Sequence, residues 1–177
     1  MEITSYKTMK LTSEEHAGGG DFRGEAVVVD LPGGPLFALL KNDGTGQPLD
    51  VNVTPALAPH ATFRTVDDYV ATVGELGGMF GSATAELPRA NWPLLVRFRD
   101  INDPKSVEKV SPEAAGVKRI VVETTSDAVT TGIEKRLGWL AEYLDRHLDG
   151  TSASIEDLTS VNLSAHMSSR SYSTEIR

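Results

Sequence analysis

Residues 87–140 read LPRANWPLLVRFRDINDPKSVEKVSPEAAGVKRIVVETTSDAVTTGIEKRLGWL, and strand, turn and helix signals follow one another there without a break. Proline suits the first position of a strand, so Trp92-Pro93 predicts the start of LLVRFRD, Leu94 to Asp100, the clearest strand of the chain. Asp103-Pro104 ends it, and Val107 to Val110 predicts a further short strand. Ser111-Pro112-Glu113 places a cap and then a proline at a first helical position, but Gly116 stops that helix within about a turn. VKRIVVET, Val117 to Thr124, is the second strong strand. Thr130 or Thr131 then caps the longest expected helix, about 131–148. Its stripe is Ile133, Leu137, Leu140, Leu144 and Leu148, widened by Trp139 and Tyr143. Burying those aliphatic side chains is worth roughly 8–15 kcal/mol before entropy is subtracted, which makes the segment part of the core. Glu142 and Arg146 form an i,i+4 pair on its wet face.

Working outward, RGEAVVVDL (Arg23 to Leu31) and Leu36 to Leu40 are apolar runs separated by LPGGP, which predicts a hairpin with a loop of four or five residues. Runs without polar alternation suit strands covered on both faces. Ile3 to Leu11 alternates loosely and reads as an edge strand, followed by a loop at SEEHAGGGD. NDGTGQP (Asn42 to Pro48) is a turn-rich connector. Pro48, Pro55 and Pro59 argue against regular structure across Asp50 to Ala61, apart from a short strand at Val51–Val53. Thr65 caps a second expected helix, about 65–76, with Asp67 and Asp68 in its first turn, where the helix dipole favours anions. Val66, Tyr69, Val70, Val73 and Leu76 give that helix an apolar face, and Gly74, Gly77 and Gly78 end it. The expected fold is α+β: a mixed or mainly antiparallel sheet of about five to seven strands packed with two main helices. One globular domain is expected over 1–150, with 151–177 a Ser/Thr-rich, partly ordered tail.

Composition narrows the function. A net charge of −8 with no basic block argues against nucleic acid and against anionic membranes as partners. Without cysteine, thiolate nucleophiles, disulfides and cysteine-ligated metals are excluded. The first residues lack an apolar run, so no membrane insertion is expected, and the location reads as cytoplasmic as written or periplasmic if a leader was removed. His16, His60, His147 and His166 lack metal-ligand spacing. Asp100-Ile101-Asn102-Asp103 opens like a calcium loop but has Lys105 where glycine and Ser111 where glutamate are needed, which leaves an Asx turn. Ser82, in FGSAT, lacks the frame of a nucleophile elbow. The carboxylate pairs Glu123/Asp127 and Asp100/Asp103 read as solvated faces. No catalytic residue, metal or cofactor is therefore assigned.

Two features remain. Arg97 and Arg99 share one face of their strand, with Lys118 and Lys135 as possible neighbours. Thr130 and Thr131 open the expected helix, with Lys135 and Arg136 in its first turns, a placement that could hold an anion. The plainer readings are threonine capping and surface arginines paired with local acids.

RGEAVVVDL, LFALL, LPRANWPLLVRFRDINDPKSVEKV and VKRIVVETTSDAVTTGIEKRLGWL, with a weaker echo in the terminal STEI, resemble a group of uncharacterised proteobacterial proteins over about half of the chain. The resemblance implies no activity and carries over no site residue. Members of the group often have an export or lipoprotein segment and a longer β-rich lead-in, and this chain departs from them by passing from Thr12 directly into SEEHAGGGD. The expectation for function is a non-enzymatic binding or assembly protein that uses a sheet edge or the C-terminal tail. The alternative is a small-molecule enzyme or anion-binding domain centred on Arg97, Arg99, Thr130, Thr131, Lys135 and Arg136.

Overall fold

One of the two inner strands of the main sheet runs Pro93–Phe98 in a computed structural model that describes residues 10–12, 21–78, 83–144, 146–151 and 163–174. Numbered along the chain, the elements are β1 (Lys10–Thr12), β2 (Asp21–Arg23), β3 (Val27–Leu31), β4 (Gly34–Asn42), α1 (Asp50–Leu57), α2 (Val66–Gly77), β5 (Thr84–Glu86), β6 (Pro93–Phe98), β7 (Val107–Lys109) and β8 (Val121–Glu123). The fold is α+β, as expected. Its described strands are divided, however, among a four-stranded sheet ordered β3-β4-β6-β7 and two pairs, β1-β2 and β5-β8, with every pairing antiparallel. The expected strand at Ile3–Leu11 falls mostly outside the described residues.

Strand β6 shows why its sequence is apolar without interruption. Leu94, Val96 and Phe98 point into the main core with Phe37, Leu39, Trp139 and Tyr172. Leu95 points the other way, into a small cluster with Leu36 and Val110. A third cluster, Leu49, Val53, Leu87 and Trp92, sits under α1. The loop 111–117 covers the Leu95 side and ends as the sequence predicts. Ser111 Oγ accepts from the Ala114 amide, and Gly116, at φ 69°, closes a turn in which the amides of Gly116 and Val117 bond the carbonyls of Glu113 and Pro112. The β3–β4 hairpin is tighter than expected: Leu31 pairs with Gly34, leaving a two-residue loop, Pro32-Gly33.

Helix α2 begins as predicted. Thr65 accepts from the Asp68 amide, and the Asp68 carboxylate accepts in return from the amides of Arg64 and Thr65. Two other expectations are corrected. Asp50–Leu57 is an α-helix, not an irregular stretch with a short strand. Pro48 and Pro59 lie before and after it, where they bound a helix without breaking it. Pro55 alone lies inside, and burial of Val53, Thr54 and the neighbouring Leu49 opposes the lost backbone bond.

The helix expected over 131–148 is absent. Gly132, at φ 121°, precedes a three-residue 3-10 turn at Ile133–Lys135, and a second 3-10 turn spans Leu140–Tyr143. The apolar residues are nevertheless buried: Ile133, Leu137, Trp139, Leu140 and Leu148 all belong to the main core. At 100° per residue Trp139 and Leu148 lie on nearly opposite sides of a straight helix, so one helix could not press both against a sheet. The break at Gly138 lets Trp139 turn inward, where its indole N–H donates to the Ile101 carbonyl.

Beside its local turn bonds, this region is tied to a different segment. Leu148 donates to the Met167 carbonyl, and Ser169 Oγ to that of Leu140. The residues at 163–174, from the Ser/Thr-rich end of the chain, therefore lie within the core, with Met167 and Tyr172 fully buried. Tyr172 meets Phe37, Phe98 and Trp139 at ring-centroid distances of 6.2, 5.9 and 5.8 Å, and its hydroxyl has no hydrogen-bond partner among the described residues. Tyr172→Ala is expected to destabilise the protein by about 3–5 kcal/mol. Tyr172→Phe, which removes an unsatisfied buried hydroxyl, is expected to stabilise it by about 1 kcal/mol. Urea unfolding of the two variants checks both; a loss of stability in Tyr172→Phe would mean that the hydroxyl has a partner.

Candidate functional site

Arg97 and Arg99 do share a face of the β6 region, the one that carries Leu95, and both turn to the same carboxylate. Glu108 on β7, directly opposite Arg97 in register, lies 2.9 Å from Arg99 and 3.9 Å from Arg97. Arg136 is held by Asp30 of β3 through two bonds of 2.6 and 2.8 Å, a bidentate pair that pulls the Asp30 carboxyl below its usual range. Asp30 alternates with Val29 and Leu31, so it lies on the Val28 side of the sheet, the opposite face from Arg97. The sheet therefore divides the six candidates. Thr131 and Lys135 are exposed beside the 3-10 turn, and Thr130 is half-buried, its hydroxyl shielded and without a partner among the described residues. With only a three-residue 3-10 turn after Gly132, the helix dipole expected to attract an anion is missing.

Asp100 and Asp103 form Asx turns, accepting from the amides of Asn102 and Lys105 at 2.9 and 3.0 Å, and Ser106 ties the loop together. Among the described residues no three His, Asp or Glu side chains gather as metal ligands would. Ser82 lies outside the described residues.

A groove of about 290 Å3 opens beside Arg97, walled by Leu31, Pro32, Pro35, Val110 and Ala115. It adjoins the outer edge of β3, and that edge has a distinct construction. In a two-residue hairpin the residues flanking the loop face each other through hydrogen bonds, so Leu31, Val29 and Val27 bond toward β4, and the amides of Ala26, Val28 and Asp30 point outward. The outward amide of Ala26 donates to the Tyr172 carbonyl at 2.6 Å. Thr174 continues the pairing: its amide donates to the Gly24 carbonyl, and its hydroxyl accepts from the Gly24 amide. The C-terminal segment thus pairs with Gly24–Ala26, just ahead of β3. Beyond Ala26 no described strand lies along this edge. Sequence reading missed this arrangement because nothing local ties 172–174 to 24–26.

A half-buried polar cluster lies between the helices. Tyr69 donates to Asp50 Oδ2 at 3.1 Å and lies 3.0 Å from Thr54 Oγ1, while Asp50 Oδ1 and Asn52 Nδ2 are shielded without partners among the described residues. It ties α2 to α1.

No protein-family model, curated protein or solved structure matches the chain.

Burial pushes the Tyr69 hydroxyl up to about 12, with the Asp50 carboxylate adding to the rise and the Thr54 bond opposing it. The fold therefore favours the neutral phenol relative to the unfolded chain, where the ordinary value is 10.0. The stability this contributes is complete below about pH 10 and is lost as the pH climbs through about 12. Unfolding followed from pH 9 to 12 (about the range of these two values) is expected to show a falling midpoint, with a shallower fall in Tyr69→Phe. Equal slopes would place the group in solvent.

Proposed function

We propose that this chain is a non-enzymatic binding protein that receives an extended segment of a partner protein along the outer edge of β3. The observation that carries the reading is the hydrogen bonding of the C-terminal segment to Gly24–Ala26. The chain already adds a strand-like piece to this edge, and the piece stops where β3 proper begins. An incoming strand would continue the same line, bonding the outward amides of Val28 and Asp30. Its alternate side chains would reach the groove between Pro32 and Ala115, whose apolar walls carry one charge, Arg97.

The other reading, an enzyme or anion site on Arg97, Arg99 and residues 130–136, has less support. Three of its cations lie on carboxylates, and the sheet separates the two groups. Use of the tail as a free binding arm is also less well supported, since Leu163–His166 and Ser169–Ser171 are packed against the core.

Asp30 gives a clean test. Asp30→Ala and Asp30→Pro both lose the exposed pair with Arg136, but only the proline removes the outward amide. Peptides selected from a random library against the immobilised chain are expected to bind wild type and Asp30→Ala alike. Binding should weaken at least tenfold in Asp30→Pro, about 1.4 kcal/mol. Amide exchange at Val28 and Asp30 should slow in the complex. Binders that ignore the proline and protect other amides would defeat the proposal.

A further inference from the structure

At the far end of β4 from the hairpin, Lys41 and Arg170 line one groove of about 270 Å3, whose other walls include Leu40, Pro48, Ser171 and Thr174. Lys41 comes from the sheet and Arg170 from the turn Ser169–Ser171, so packing of the C-terminal segment is what brings the two cations to a common wall. Among the described residues no acidic side chain lines the groove, and neither cation has a carboxylate partner. This departs from the rest of the sheet surface, where Arg97, Arg99, Lys109 and Arg136 each lie against an aspartate or glutamate.

The Lys41 ammonium makes one long hydrogen bond, 3.4 Å to the His166 carbonyl. An ammonium has three N–H donors, so donors remain for a ligand. Burial disfavours its charged form and lowers its pKa. An anion alongside would reverse that cost, so the site gains from being filled.

We infer that this groove binds a small oxyanion, a phosphate or carboxylate group held between Lys41 Nζ and the Arg170 guanidinium. The guanidinium offers a planar fork to two oxygens, and the ammonium acts as a point charge on a third or shared one. Leu40 and Pro48 supply an apolar floor for a short body attached to the anion. The volume lies just below the usual range of ligand pockets, which selects for a small molecule. The site lies apart from the outward amides of Val28 and Asp30, so the two proposals stand or fall separately.

Calorimetric titration of the full chain tests it, with sodium phosphate in one arm and sodium butyrate in the other, against chloride at equal ionic strength. Saturable binding in at least one arm is expected, and the arm that responds identifies the headgroup. Arg170 is exposed, so Arg170→Gln should fold normally and bind at least tenfold more weakly. Lys41→Met, which keeps the aliphatic stem, should lose the isotherm altogether, while Asp30→Pro should keep it. Failure of both anions to saturate, or an isotherm unchanged in Arg170→Gln, would overturn the site.

Discussion

Tyr172 touches Phe37 from β4, Phe98 from β6 and Trp139 from the turns after Gly132, all within about 6 Å between ring centres. Phe37 and Phe98 also meet each other edge to face, as do Phe98 and Trp139. Such contacts add about 0.5–1.5 kcal/mol each beyond the area they bury. Their larger effect is topological. A four-stranded sheet buries its second face only if something lies across it, and here two irregular segments, one at 133–144 and 146–148 and the other at 163–174, do so with no α-helix among their described residues. Neither segment bonds its own backbone fully. They bond each other, through Leu148 to Met167 and through Ser169 to Leu140, so the aromatic cluster and this ladder form together. The same placement of Tyr172 carries Ser173 and Thr174 to the sheet edge and Arg170 to the end of β4.

Much of the local structure was legible because it rests on residues close in sequence. Thr65 with Asp68, Pro93 at the head of a strand and Gly116 at the end of a turn act within four or five positions of themselves, and each was read as it stands. The reading of 131–148 failed for a different reason. The spacing of Ile133, Leu137, Leu140, Leu144 and Leu148 is helical, but Trp139 is also buried and does not share their face. A stripe that wide, interrupted by Gly132 and Gly138, marks a chain wrapped around a core. At α1 the case is the reverse: of three prolines in or beside the segment, two bracket a helix and only Pro55 lies inside it.

The site residues divide along the same line. Alternation placed Arg97 and Arg99 on one face, and the paired reading required only that an acid stand opposite; Glu108 does, through the β6–β7 register. Such exposed pairs stabilise little, with a median of about 0–1 kcal/mol, so their consequence is to neutralise a strip that would otherwise attract anions. Lys41 and Arg170 gave no comparable signal. One closes an apolar strand and the other lies in a Ser-rich stretch, and only the route of the C-terminal segment makes them neighbours.

An open strand edge endangers a protein, since it invites pairing with any extended chain. The edge at 24–31 carries two devices against that. Its first three residues are occupied by Tyr172–Thr174, which consumes the outward groups of Gly24 and Ala26. Its far end carries Asp30, a charge fixed by Arg136, with Pro32 just beyond. What no described strand covers beyond Ala26 is short, with outward amides at Val28 and Asp30. That is too short to nucleate sheet growth between copies, where identical charges at Asp30 would also repel. It is long enough to extend pairing for a segment that also fills the groove beside Arg97, because the side chains and not the ladder would then supply most of the contact. On the proposed reading, an edge so shortened would discriminate: it would reject an arbitrary strand and admit one whose apolar side chains match the walls at Pro35, Val110 and Ala115.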